Sequence, residues 1–262
     1  MVLKIIKKTY IGLIFLFLYA PILLLMLFSF NNSRSRGQWG GFTLKWYGEL
    51  FKDSATMDAL LNTVLIALLS AIIATVVGTI TAFGMHYMKK TPRAILSGMS
   101  YLPVMNPDIV TGVSLLILFL SLNMQKGFGT LLIAHITFNI PYVILSVLPK
   151  LKQMNEHLFE AAQDLGAGSV YTFFHIILPE IMPGIISGFL LSLTLSIDDF
   201  VISLFTKGPG VETLSVHIYN MAKRGVDPSI NALSTIMFVV VILLLLVINR
   251  RSDKGEVKVE KD

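Results

Sequence analysis

The feature that most constrains this chain is a series of apolar runs, each about 20 residues long, separated by polar segments. A run of this length crosses the hydrocarbon core of a bilayer as a helix. The runs lack the period-two alternation of barrel strands, and a helix satisfies its own backbone hydrogen bonds in lipid. Only 14% of the 262 residues are charged, whereas soluble domains carry about 25%. The sequence predicts an all-α polytopic membrane protein with about six transmembrane helices, at residues 10–30, 60–88, 94–122, 128–148, 185–205 and 231–248.

The distribution of basic residues predicts the orientation. The first run follows Lys4, Lys7 and Lys8 as in a signal peptide, but it is longer than a typical signal core and no small-x-small cleavage site follows it. We therefore expect an uncleaved first span. With the N-terminus inside, 13 of the 21 Lys and Arg residues lie on the cytoplasmic side and 8 lie outside. This asymmetry predicts that both termini are cytoplasmic, and it accounts for the net charge of +5 without nucleic-acid binding.

The sequence lacks the residues that several kinds of catalytic or metal site require. There is no cysteine, which excludes disulfides and thiolate metal sites. No H-E-x-x-H zinc motif occurs, and no G-x-x-x-x-G-K-[ST] loop for a nucleotide phosphate occurs. We expect a single membrane domain over residues 1–262, a long cytoplasmic loop over 150–184 within it, no metal site and no cofactor of its own.

Three carboxylates fall inside the predicted spans, namely Asp108, Asp198 and Asp199, and no Lys or Arg falls inside any span. An ionised group at mid-membrane costs about 2.5–3.5 kcal/mol on insertion scales, so such a residue indicates function. Asp108 follows Pro103 and Pro107. These prolines are compatible with ordinary helix curvature or with a broken helix beside a transport pathway.

Polar side chains form stripes on the fourth and fifth predicted spans. His135 and Asn139 are four residues apart, and Ser196 precedes Asp199 by three, so each pair shares a helix face. For the Ser and Thr residues we favour interhelical hydrogen bonding. For His135 and Asn139, hydrogen bonding and a role in the pathway both remain open. The predicted pathway set is Asp108, Asp198, Asp199, Ser196, His135 and Asn139.

The cytoplasmic loop contains the most specific local pattern. Good helix formers run up to Leu165, and Gly166 stands where a left-handed residue ends a helix. Ser169 can cap a second helix, which we expect Pro179 to stop. Glu156, Glu160 and Asp164 share one face of the first helix, and Phe159, Ala162 and Leu165 share another. The pattern predicts an amphipathic helix–turn–helix that either merely connects two spans or docks a cytoplasmic partner.

The same loop resembles the EAA loop of permease subunits of bacterial ABC importers. The matching elements are Glu160-Ala161-Ala162, Gly166 after three residues, Ile176 after nine more, and Leu178-Pro179. The resemblance implies coupling helices that seat in a groove of an ATPase subunit, a role assigned to Glu160, Ala161, Ala162, Gly166 and Leu178. Gly168, Phe174 and His175 depart from the usual pattern.

The family resemblance also implies partners. The first are ATPase subunits, expected as a dimer, which bind the ATP. The others are a second homologous permease, an extracytoplasmic substrate-binding protein and membrane lipid. A narrower segment, Ser196-Ile197-Asp198-Asp199-Phe200-Val201-Ile202 with Gly208 and Thr213-Leu214, resembles the polyamine branch of this family. It implies a spermidine or putrescine substrate and half of a translocation pathway in this chain.

Other functions were weighed against this interpretation. An importer permease for another small solute fits the same loop. An intramembrane aspartyl protease needs two close carboxylates, but adjacent helical residues point about 100° apart, and no G-x-G-D sequence is present. A self-sufficient secondary transporter would need inverted repeats rather than a coupling loop.

Overall fold

The computed structural model describes residues 2–33, 38–155, 157–224 and 228–256. Within these ranges the chain is almost entirely helical, and its β-structure is limited to one isolated bridge between Asn31 and Phe42. The all-α fold class is therefore confirmed. The helices are α1 Val2–Ser29, α2 Lys45–Leu50, α3 Ser54–Tyr87, α4 Lys90–Met105, α5 Asp108–Ser121, α6 Phe128–Gln153, α7 Leu158–Asp164, α8 Ser169–Thr172, α9 Leu178–Asp198, α10 Val201–Thr206, α11 Leu214–Arg224 and α12 Pro228–Glu256.

Four helical segments are long and apolar enough to cross a membrane: Lys7–Ser29, Ser54–Tyr87, Phe128–Gln153 and Ser169–Asp198. The pair α4 and α5 makes a fifth if it counts as one broken span. The sixth predicted span lies in α12, where the described side chains form a shorter apolar stretch, Pro228–Leu243. The side chains of 244–248 lie outside the described part. The helix count agrees roughly with the prediction of about six.

The third predicted span is not one helix. α4 and α5 are bent by 105° at the break between Met105 and Asp108, so the continuous helix over 94–122 is corrected to two. Asn106 has an extended backbone, φ −77° and ψ 142°, because a residue before proline avoids the helical region. Pro103 lies within α4 without ending it. The broken-helix alternative is thus confirmed.

The fifth predicted span begins earlier and ends earlier than 185–205. It runs over Ser169–Asp198, and α10 follows as a separate short helix. Pro179 does not stop the second loop helix as expected, because a π-helical turn, Phe173–Ile177, widens the backbone just before it. Ser169 is the first helical residue, and Gly168 occupies the cap position. The loop predicted over 150–184 is therefore helical at both ends.

Contacts divide the chain into two compact units, residues 1–58 with 217–243 and residues 59–216 with 244–262. The prediction of one domain over 1–262 stays a prediction. The core of the larger unit lies between α3, α6, the π-helical turn and α9, and Val143, Val147 and Ile181 are fully buried there. Small residues permit the close approach of helices, as in many membrane bundles. Gly188 of α9 faces the backbone of Val143, and Gly184 faces the carbonyl of Ser146.

Candidate functional site

The turn of the cytoplasmic loop has the predicted backbone conformation. Gly166 has φ +82°. Its N–H donates to the carbonyl of Gln163 at 2.8 Å, and the N–H of Ala167 donates to the carbonyl of Ala162 at 3.0 Å. These two bonds are the Schellman arrangement, which satisfies the last carbonyls of α7. A left-handed residue at this position favours glycine.

Within the larger unit, the loop packs against the end of α3. The ring of Phe159 lies 5.7 Å from that of Tyr87, and the ring of Phe173 lies 4.8 Å from that of Phe83. Both partners belong to the last turns of α3. Ala162 is 6% exposed. The aromatic contacts therefore join α7 and the π-helical turn to the end of α3.

Part of the exposed surface of this loop is apolar. Leu165 is 90% exposed and Val170 is 72% exposed, and Tyr171 and Phe174 are also exposed. We call these four side chains the loop surface. The expectation that Leu165 shares the packed face of Phe159 and Ala162 is wrong, because α7 ends at Asp164 and Leu165 leaves helical geometry with ψ 8°.

The predicted coupling residues occupy distinct positions on the loop. Glu160 and Ala161 are exposed, Ala162 is buried, Gly166 forms the turn, and Leu178 is partly buried at the start of α9. Phe174 and His175, which depart from the family pattern, are both exposed. Glu156 lies outside the described residues. The coupling role of Glu160, Ala161, Ala162, Gly166 and Leu178 stays a prediction.

A buried polar cluster links α3, α6, α9 and α10. His135 Nδ1 lies 3.1 Å from Ser196 Oγ, and His135 Nε2 lies 3.0 Å from Ser203 Oγ. Asn139 Nδ2 donates to Ser196 Oγ at 2.8 Å and to Ser70 Oγ at 3.3 Å. His135, Asn139 and Ser196 are each at most 1% exposed. Of the two roles left open for His135 and Asn139, the observed contacts are those of interhelical hydrogen bonding.

Asp199 belongs to the same cluster rather than to the protein surface. Its side chain is 5% exposed and lies 3.6 Å from His135 Nε2. Its carboxylate accepts the backbone N–H groups of Ile202 at 3.2 Å and Ser203 at 2.7 Å. Asp199 therefore caps the first turn of α10. The helix face expected to carry both Ser196 and Asp199 ends at Asp199, because the chain leaves the helix there with ψ 127°.

Asp108 and Asp198 are both exposed. Asp108 begins α5, and Gly112 lies one turn later on the same face. A Cβ at Gly112 would lie 3.4 Å from the Cα of Ile202, so α5 crosses α10 here. Gly208, just after α10, packs on the backbone of Lys126 and Gly127, just after α5. The start of α5 therefore lies beside the start of α10, which Asp198 precedes by three residues.

The profile of one protein family, described as "Binding-protein-dependent transport system inner membrane component", matches residues 74–256. This range contains the broken span, the loop and the members of the polar cluster on α6, α9 and α10, whereas α3 contributes from just before it. The chain belongs to this family. It is a multi-pass inner-membrane component of a transport system, and its work is translocation rather than catalysis.

Curated relatives agree with this family. This permease is 40% identical to the spermidine/putrescine transport system permease protein PotC of Escherichia coli K12, over 96% of this chain and 97% of that protein. It is also 40% identical to the putrescine transport system permease protein PotI of the same strain, over 87% and 83% respectively. The PotC homolog of Mycoplasma pneumoniae is 32% identical over 92% of this chain and 88% of its own length.

Solved structures confirm the ABC importer permease fold. The permease matches a chain of a bacterial ABC transporter that imports the acidic polysaccharide alginate, with a TM-score of 0.74, 19% identity, and coverage of 97% of this chain and 95% of that one. It also matches a chain of the MetNI methionine ABC transporter, with a TM-score of 0.63 and 16% identity. The match covers 81% of this chain and 99% of that one.

Sequence reasoning missed Ser70 as a member of the permease's polar cluster. Ser70 is fully buried on α3, and its Oγ lies 3.1 Å from Ser196 Oγ. A signal was available, because Thr63 and Ser70 lie seven residues apart on one face of α3. Single Ser and Thr residues are common in membrane helices, however, so this spacing does not by itself name a partner.

Proposed function

We propose that this permease imports polyamines, with spermidine and putrescine as its substrate class, as one half of the translocation pathway of an ABC importer. The observation that carries the proposal is the 40% identity to PotC over 96% of this chain. A polyamine carries several ammonium groups on an apolar stem. Two exposed carboxylates, Asp108 at the break between α4 and α5 and Asp198 at the end of α9, offer the complementary charge.

The proposed complex contains an ATPase dimer, a second homologous permease and an extracytoplasmic binding protein, and the ATPase binds the ATP. The family description, which names a binding-protein-dependent system, supports the last partner. Both termini of the permease are cytoplasmic in this proposal, because the basic residues are concentrated on that side. The sequence of this chain has no phosphate-binding loop that could replace the ATPase.

The loop surface is the proposed seat of the ATPase. Leu165, Val170, Tyr171 and Phe174 present apolar area to the cytoplasm, and burial of apolar area in a partner groove is favourable by about 25 cal/mol per Å². Glu160 and Ala161 lie beside this surface, while Ala162, Gly166 and Leu178 hold its shape. Because Phe159 and Phe173 contact the end of α3, movement of the ATPase would reach the membrane helices through these rings.

The substrate contacts are proposed at Asp108 and Asp198. Exposure makes these carboxylates available to an ammonium group, and weak successive sites allow a substrate to leave as well as to enter. The buried polar residues are proposed to contribute indirectly, by holding α9 and α10 in position. They are Ser196, His135, Asn139 and Asp199. Their burial in this structure speaks against direct contact with the substrate.

Uptake into proteoliposomes tests this function. The complex is reconstituted with ATP on the ATPase side and with radiolabelled spermidine plus the binding protein on the other side. We expect ATP-dependent accumulation that excess unlabelled putrescine reduces and that requires this chain. Accumulation of a different solute class, with ATP hydrolysis unaffected by polyamines, would assign the permease to another substrate.

A further inference from the structure

The segment between α1 and α3 exposes an apolar surface in its described residues 38–53. Trp39, Phe42, Leu44 and Phe51 are each exposed by 53–70%, and we call these four side chains the outer apolar surface. The fold beneath it is well bonded. Asn31 Nδ2 donates to the carbonyl of Gln38 at 3.0 Å, and Asn31 Oδ1 accepts the N–H of Gly40 at 2.8 Å. These side chains are therefore exposed by an ordered segment.

The segment is attached to the end of a membrane span. The N–H of Thr43 donates to the carbonyl of Phe30 at 2.8 Å. The hydroxyl of Tyr47 lies 2.7 Å from Ser29 Oγ, and the indole N–H of Trp46 donates to the carbonyl of Asn31 at 2.8 Å. The outer apolar surface is thereby held at the depth where α1 ends.

The surface of α1 itself is apolar between Tyr10 and Leu27. In the span Lys7–Ser29, 0% of the most apolar 18-residue window is buried. Phe30 continues from the end of α1 into the loop, and its ring stacks on that of Phe42 at 5.3 Å. The outer apolar surface is therefore continuous with the apolar surface of a membrane span.

Short helix α2 has three distinct sides. Trp46 and Leu50 are buried at 2% and 3% exposure. Lys45 and Glu49 form an exposed ion pair at 3.5 Å on a second side. Leu44 lies seven residues before Phe51 on a third side, and both are exposed. Aromatic and apolar groups beside lysine are the composition that proteins place at the membrane–water interface.

We propose that the outer apolar surface binds lipid at the headgroup–acyl boundary of the extracytoplasmic leaflet. Trp39, Phe42, Leu44 and Phe51 insert into the boundary, while Lys45 and Glu49 face the headgroups and water. The contact fixes the depth of α1 and prevents it from sliding along the membrane normal. The inference requires that α1 spans the membrane with its N-terminus in the cytoplasm, as proposed above, and it is independent of the transported substrate.

Spin labels test this contact directly, because the native chain has no cysteine. Cysteine is placed singly at Phe42, at Phe51 and, as the matched control, at Glu49, in a complex whose other subunits lack cysteine. The complex is reconstituted in bilayers, and collisions of each label with oxygen and with a water-soluble nickel chelate are measured. We expect oxygen collisions to dominate for Phe42→Cys and Phe51→Cys, and nickel collisions to dominate for Glu49→Cys.

A second measurement does not depend on labels. Lipids brominated near the headgroup quench tryptophan fluorescence on contact, and Trp39 is exposed whereas Trp46 is buried. We expect Trp39→Phe to remove the quenchable component that this chain contributes. Two results would overturn the proposal: dominant nickel collisions at positions 42 and 51, which place the surface in water, or protection from both reagents, which places a partner subunit over it.

Discussion

At the scale of single residues, Asp198 and Asp199 differ in what surrounds them. Asp199 accepts two backbone N–H groups at the start of α10, and Asp198 is exposed at the end of α9. We expect Asp199→Ala to lower the stability of the complex by about 1 kcal/mol, the usual cost of a lost helix cap. Asp199→Asn keeps a cap oxygen and should recover most of it.

The neighbouring substitution gives the contrasting result. Asp198→Asn should leave thermal unfolding unchanged and reduce polyamine uptake at constant basal ATP hydrolysis. Unfolding temperature and uptake are measured on the same purified complexes. Equal loss of stability in Asp198→Asn and Asp199→Ala would contradict the different roles assigned to the two carboxylates.

A second prediction concerns Asp53, which caps α3. Its carboxylate accepts the N–H of Thr56 at 3.2 Å and also the hydroxyl of Thr56. The hydrogen bond from this hydroxyl lowers the pKa of Asp53 below its usual 3.8. A pKa lowered by folding gives stability that is complete above the unfolded pKa and is lost as the pH falls through the folded one.

The lowered pKa of Asp53 determines how the stability of the protein depends on pH. We expect wild type to exceed Asp53→Asn in unfolding temperature by a constant margin near neutral pH. The margin should narrow as the pH falls below about 4, where the carboxyl of the unfolded chain takes up its proton. Thermal unfolding of both proteins across this pH range checks it, and an undiminished margin in acid would mean that the charge does not stabilise the cap.

At the scale of elements, Gly166 determines the turn between α7 and α8. A side chain at its φ of +82° costs about 1–2 kcal/mol. We expect Gly166→Val to insert into the membrane normally but to lose ATPase association and uptake. Gly168→Val is the matched control, because Gly168 has an ordinary φ of −70° and no atom within 4 Å of an added Cβ. Co-purification of the ATPase with each variant measures the difference.

The contact between α3 and α6 also depends on a glycine. A Cβ at Gly78 would lie 2.7 Å from Val143 Cβ, closer than real contacts allow, whereas a Cβ at Gly84 of the same helix meets nothing within 4 Å. Gly78→Ala should therefore destabilise the protein. Gly84→Ala should be neutral or stabilise it by up to about 1 kcal/mol, since alanine favours helix. Thermal unfolding of both variants in one detergent tests the pair.

At the scale of the whole molecule, the excess of basic residues on one side predicts a cytoplasmic loop surface. A cysteine introduced at Gln163, an exposed residue of α7, should react with a membrane-impermeant reagent only after the membrane is opened. Labelling of intact spheroplasts compared with inverted vesicles measures this. Reaction from outside intact spheroplasts would reverse the assigned orientation of the permease.

The sequence by itself determined the fold class, the family and the coupling turn. Apolar runs longer than the hydrocarbon core allow only spanning helices. The left-handed conformation at Gly166 is equally local, because the helix formers before it and the missing Cβ are both visible in sequence. The EAA spacing was sufficient to assign the family, which the match over residues 74–256 confirms.

Tertiary structure alone decided which polar residues are exposed. Asp198 and Asp199 carry the same charge and sit in adjacent positions, yet one is exposed and the other caps α10 beside His135. Ser70 joins that cluster through a contact with Ser196, which lies 126 residues later in the chain. Helical periodicity places side chains on a face of one helix, but the neighbour on that face is set by the packing of other helices. The burial of Asn139 and the exposure of Leu165 depend on such packing and on where the helices break.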